Sequence, residues 1–168
     1  MPAREVLVPL RWSDMDAYGH VNNVQYVRLL EDARILAFRT PHGEATSESP
    51  VRTGTIIARN EVEYLVPLKY QYEPVTVRLW VSRTSGASFD LGYEVRGRAE
   101  DAPDELTGDA EGWVVYARAE STVVLFDMDA GRPRRITPGE SAMFAEMTGP
   151  PVELRRRARE RAAAAAAS

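Results

Sequence analysis

From Tyr26 onward, apolar residues recur at helical spacing. Tyr26, Leu29, Leu30, Ala33, Leu36 and Ala37 follow the i, i+3, i+4, i+7 rule, which predicts a helix over about Asn23 to Arg39. Val24, Val27, Ile35 and Phe38 widen the apolar face, leaving a narrow polar stripe of Gln25, Arg28, Asp32 and Arg39. A helix of that pattern is expected to be mostly buried. Asn22 is a good N-cap, and Gln25 three residues on suggests a capping box.

Elsewhere the period is two. Residues 5–12 read as a short strand, with Pro9 marking an edge or an end. Residues 55–66 are rich in β-branched residues, and Val62, Tyr64 and Val66 alternate up to Pro67. Val75, Val77, Leu79 and Val81 alternate with polar or large partners over 75–82, and Phe89, Leu91, Tyr93 and Val95 do so over 89–95. A long last strand is expected over 113–126. The segment 83–86, "RTSG", reads as a hairpin turn, 40–53 as a turn-rich loop, 97–112 as an acidic surface excursion and 137–146 as one short helix. Consecutive strands with short connections are expected to pair antiparallel. The predicted architecture is α+β, a five-stranded antiparallel sheet wrapped around one long central helix.

Composition narrows the possibilities. The 168 residues suit one domain, taken as 1–150, followed by a low-complexity Arg/Ala-rich tail at 151–168. A net charge of −4 argues against nucleic-acid binding, which rests on neutralising phosphates. No apolar run is long enough to span a bilayer, and "MPAREVLVPL" lacks the apolar core of a signal peptide, so a cytoplasmic setting without membrane contact is expected. With no cysteine and only His20 and His42, a thiolate nucleophile and a thiolate or histidine-rich metal site are excluded.

The chemistry concentrates in "WSDMDAYGHVNNVQY", residues 12–26. A helix N-terminus carries unpaired N–H groups and a partial positive charge. If Asn22 caps N2 or N3, the first N–H, near Asn23, stays free to polarise a carbonyl. Asp14 and Asp16 supply nearby carboxylates, able to act as nucleophile or as base toward water. Plainer readings stand beside this one. The two aspartates fit loop acids in Asx turns, His20 a structural histidine, and Tyr26 and Tyr64 ordinary core aromatics. An Asp-x-Asp pair also fits a divalent metal, but no further carboxylate cluster supports one.

The segment 12–34, "WSDMDAYGHVNNVQYVRLLEDAR", closely resembles the opening of the hotdog-fold acyl-CoA thioesterases of the 4-hydroxybenzoyl-CoA thioesterase-like family. Their pattern D-x-D-x-x-G-H-V-N-N, then Y and E-x-A-R, is met by Asp14, Asp16, Gly19, His20, Val21, Asn22, Asn23, Tyr26, Glu31, Ala33 and Arg34. "ARNEVEYLVPLKY" (58–70) and "SRTSGASFDLGYEV" (82–95) resemble later landmarks, so the resemblance runs over about 5–127. It implies a hotdog fold and hydrolysis of an acyl-CoA to free acid and coenzyme A, with no metal or other cofactor. The active site would lie at the interface of a homodimer, often built into a homotetramer. Asp16 takes the position of the catalytic carboxylate, and Asn23 that of the carbonyl-polarising N–H. His20 matches a histidine of the related plant acyl-carrier-protein thioesterases, whose asparagine position is Tyr18 here. Tyr26 is expected at the substrate, and Arg83, Ser85, Gly86 and Ser88 near the coenzyme phosphates. Two alternatives remain: a hotdog domain that binds an acyl thioester without cleaving it, and an enzyme acting on acyl carrier protein.

Overall fold

The computed structural model describes residues 3–38, 54–102 and 107–155. The loop expected at 40–53, part of the acidic excursion and most of the tail lie outside them. The strands are β1 (Arg4–Val8), β2 (Thr55–Tyr64), β3 (Val75–Ser85), β4 (Ser88–Arg98), β5 (Trp113–Asp127) and the two-residue β6 (Arg132–Pro133). The helices are α1 (Asn23–Ala37) and α2 (Pro138–Ala145). The sheet is antiparallel throughout, in the order β1-β3-β4-β5-β2, with β6 beside the end of β5. A curled antiparallel sheet with two helices is consistent with the hotdog fold.

Several expectations need restating. The curled sheet is met, but a single long central helix is not confirmed, since α1 has 15 residues and a second helix, α2, follows the strands. Nor is α1 mostly buried. Tyr26, Leu29, Leu30, Ala33 and Ala37 enter the core, while Val24, Val27 and Leu36 are exposed. A sheet covers only one side of a helical cylinder, so apolar residues on the other side stay at the surface. Finally, β2 and β3 are consecutive but not neighbours. β2 pairs with β5 from Thr55↔Leu125 to Tyr64↔Ala117, and β3 pairs with β1 and β4. The link 65–74 carries Pro67 and Pro74, and β2 is left at the sheet edge.

The period-two residues share one face, although Thr76, Trp80, Asp90 and Arg96 on the other face are buried too. Val75, Val77, Leu79 and Val81 on β3 and Phe89, Leu91, Tyr93 and Val95 on β4 join the α1 residues in one core. The hairpin turns at Gly86–Ala87, between paired Ser85 and Ser88, rather than over 83–86. Gly86 has φ 45°, the positive value that a two-residue hairpin turn demands. On the opposite face of the sheet, Trp80 packs with Val152 and Leu154, and its indole Nε1 donates to the Pro150 carbonyl at 2.6 Å.

Candidate active site

The loop ahead of α1 is held by its two aspartates in different ways. Asp14 is buried, and its Oδ2 accepts from the Arg11 N–H at 2.7 Å and from Arg28 Nη2 at 2.6 Å. Arg28 also donates to Asp32 at 2.6 Å, so Asp14 ties the loop to the middle of α1. Asp16 is half-buried. Its Oδ1 accepts from the N–H of Tyr18 at 2.8 Å and of His20 at 3.2 Å, the Asx-turn geometry of a loop acid. Its Oδ2 accepts from none of the described residues. Gly19, at φ 75°, lets the chain turn back so that the Asp16 N–H reaches the His20 carbonyl at 2.8 Å. The structural and catalytic readings of Asp16 therefore use different oxygens of one carboxylate.

The helix start follows the capping expectation in part. Asn22 Oδ1 accepts from the Val24 N–H at 3.1 Å. No capping box forms, because Gln25 Oε1 instead accepts from Arg28 Nε at 3.1 Å. With Val24 taken by the cap, the Asn23 N–H has no acceptor among the described residues, and it sits where the helix dipole is most positive.

A cavity of about 340 Å³ opens at this point, lined by Asp16, His20, Val21, Asn23, Tyr26 and the crossing from Tyr64 to Leu68. His20 is half-buried, and its backbone bridges to Lys69. Tyr26 is buried, with its ring edge-on to Tyr64 at 5.1 Å. Burial, and then the neighbouring Tyr64, push the Tyr26 phenol far above its ordinary value, so it stays neutral. Burial raises Tyr64 too, and the Tyr64 hydroxyl donates to the Asn23 carbonyl at 3.2 Å.

Asp16, His20, Asn23 and Tyr26 thus share one cavity. The four residues assigned to coenzyme phosphates do not join them. Arg83, Ser85, Gly86 and Ser88 lie at the tip of the β3–β4 hairpin, and none lines this cavity. Arg83 instead donates to Asp90 at 2.8 Å, at the rim of a second, polar cavity. Sequence reasoning missed Tyr64 as a wall of the site. The signal lay in "YLVPL" at 64–68, where an aromatic closes a strand just before a proline break. Among the described residues, no group of three or more His, Cys, Asp or Glu side chains is placed to hold a metal ion. No helix among them is long and apolar enough to cross a membrane.

Residues 10–148 match the family model of the thioesterase-like superfamily. Among curated proteins none matches. Solved structures do. A protein predicted to be a thioesterase, from Bacillus stearothermophilus, is 25% identical with TM-score 0.67, over 89% of this chain and 99% of that one. A candidate acyl-CoA thioesterase from Xanthomonas campestris is 29% identical with TM-score 0.56, over 74% of this chain and 93% of that one. A thioesterase from Thermus thermophilus, solved with coenzyme A and zinc, shares the fold at 24% identity and TM-score 0.65, over 90% and 97% of the two chains. Since the family model runs from just after β1 to just past α2, with the cavity inside it, the chain belongs to the thioesterase-like superfamily and is a thioester hydrolase.

Proposed function

We propose that this protein hydrolyses acyl-coenzyme A to a free acid and coenzyme A, with Asp16 and the Asn23 N–H as the reacting groups. The observation that carries this reading is the pairing of two unspent valences in one cavity: the open Oδ2 of Asp16 and the unaccepted N–H of Asn23. The thioester carbonyl oxygen accepts from the Asn23 N–H, which stabilises the oxyanion as the carbonyl carbon becomes tetrahedral. Asp16 either removes a proton from the attacking water or adds to the carbon itself. In the first route, collapse of the tetrahedral intermediate breaks the C–S bond, and the thiolate of coenzyme A leaves and is protonated. In the second, the thiolate leaves behind an acyl-aspartyl anhydride that water then cleaves. The neutral phenol of Tyr26 and the apolar side chains of Val21, Val66 and Leu68 suit the acyl portion.

A second copy of the chain completes this reading. β2 lies at the sheet edge, and Tyr64 on it and Val24 and Val27 at the start of α1 are exposed. Pairing of two copies along β2 would cover an open strand edge and that apolar surface together.

The test is thiol release from short, medium, long and aromatic acyl-CoAs. Release from at least one, saturable and enzyme-dependent, is the expected result. A folded protein that binds coenzyme A and releases no thiol from any of them overturns the reading. In single turnover in ¹⁸O-water, label in Asp16 identifies the anhydride route with water attacking the aspartyl carbonyl, because direct attack by water labels only the product acid.

A further inference from the structure

The three most exposed large apolar side chains among the described residues are Tyr72 (93%), Tyr18 (84%) and Trp12 (74%). All three belong to the segments that frame the Asp16 loop. Two of them flank a third ring: Trp12 meets Tyr70 edge-on at 5.5 Å, and Tyr70 meets Tyr72 at 5.8 Å with an interplanar angle of 67°. Tyr70 is half-buried against the core, and two exposed rings seated on it make a patch that is unusual for a surface that needs no partner. Its place is defined by the backbone. Leu68 lines the active cavity, Lys69 pairs with His20, and Tyr70 and Tyr72 continue the same segment outward. Beside Trp12 stands Arg11, exposed and without an ion-pair partner among the described residues.

We propose that Trp12, Tyr70 and Tyr72 form a stacking platform for the adenine of the substrate's carrier, with Arg11 meeting its phosphates. This rests on the acyl-coenzyme A reading above and sharpens it, because acyl carrier protein presents no base to stack. The chemistry fits on three counts. Exposed Trp and Tyr rings are sequence-tolerant platforms for a purine. An unpaired guanidinium suits a phosphate, which it can bind with two parallel hydrogen bonds. The reach also suffices. From Leu68 to Tyr72 four residues span at most about 13–14 Å, about the length of the pantetheine arm alone, and the diphosphate and ribose carry the adenine further still. A thioester at Asp16 and an adenine at Tyr72 are therefore compatible ends of one molecule.

The experiment is calorimetric titration of the full chain with coenzyme A and with pantetheine, which lacks the nucleotide. Wild type is expected to bind coenzyme A at least about tenfold more tightly. Trp12→Leu and Tyr72→Ala should each remove about tenfold of that affinity, and Arg11→Gln a smaller part that falls with added salt. The loss should be confined to coenzyme A and appear in KM rather than kcat for acyl-CoA. Equal binding of the two ligands, or ring variants that bind coenzyme A like wild type, overturns the platform even if acyl-CoA is hydrolysed. Ring variants that instead dissociate an oligomer, with coenzyme A binding unchanged, overturn it in favour of a second copy as the occupant. Loss of coenzyme A binding in the ring variants, with no thioester cleaved by wild type, upholds the platform and refutes the hydrolysis reading.

Discussion

Asp16 holds the loop with one oxygen and offers the other, so two substitutions should separate the two roles. Asp16→Asn keeps an oxygen where Tyr18 and His20 donate their N–H groups at 2.8 and 3.2 Å. It replaces the open oxygen by an NH₂ that can neither take a proton nor attack. Loop and stability should survive, within about 0.5 kcal/mol. Turnover should fall by about 10²–10⁴, or about 3–5 kcal/mol of barrier. Asp16→Ala removes the same chemistry and both loop bonds. At a net ~0.5–1.5 kcal/mol per bond, in a partly solvated loop, the added cost is about 1–2 kcal/mol. For a chain of this size that is about 3–6 °C in Tm. Thiol release from the best acyl-CoA reads the first effect, and calorimetric melting the second. Asp16→Asn turning over within threefold of wild type would refute the catalytic assignment. An Asn variant that melts as low as the Ala variant would refute the division of labour between the two oxygens.

Asp14→Ala should behave differently, as a loss of positioning. Asp14 is 2% exposed and Arg28 20% exposed, and Arg28 keeps Asp32, so the cost should be about 2–3 kcal/mol, below that of a wholly stranded buried charge. A drop of about 5–10 °C in Tm together with reduced kcat is the expected outcome, while unchanged melting would contradict the geometry. Gly92→Ala should destabilise by about 1–3 kcal/mol, because a Cβ there would come within 2.6 Å of Val152 and 2.7 Å of the Trp80 ring; a wild-type urea midpoint would show that the segment carrying Val152 is not seated on Gly92. The alkaline limb has a definite sign. Folding raises the phenols of Tyr26 and Tyr93, chiefly by burial, so they bind their protons more tightly folded than unfolded. Their contribution is complete below the ordinary tyrosine value of 10.0 and is lost as pH rises beyond it, so stability should fall from about pH 10 upward, and less steeply in Tyr26→Phe. A wild-type melting curve flat from pH 9 to 11 would contradict this.

Much of this protein is local, and its sequence determines that part. Alternation at Val75, Val77, Leu79 and Val81 specifies which face of β3 joins the main core whatever strand lies beside it, because side chains on a strand change face at every residue. The cap at Asn22, the Asx turn at Asp16 and the turn glycine at 19 are bonds within a few residues, and "DMDAYGHVNN" spells them out along with the family. Contacts between distant segments have no such signature. That Tyr64 meets Tyr26, that β2 leaves β3 for β5, and that Trp12 joins Tyr70 and Tyr72 are outcomes of how the sheet closes on α1. The exposure of Val24 and Val27 was illegible for the same reason. Helical periodicity says which residues share a side, but only the packed sheet decides which sides are covered. The cavity itself belongs to that second category, since its walls come from a loop, a helix start and a crossing some forty residues later, brought together only by the fold.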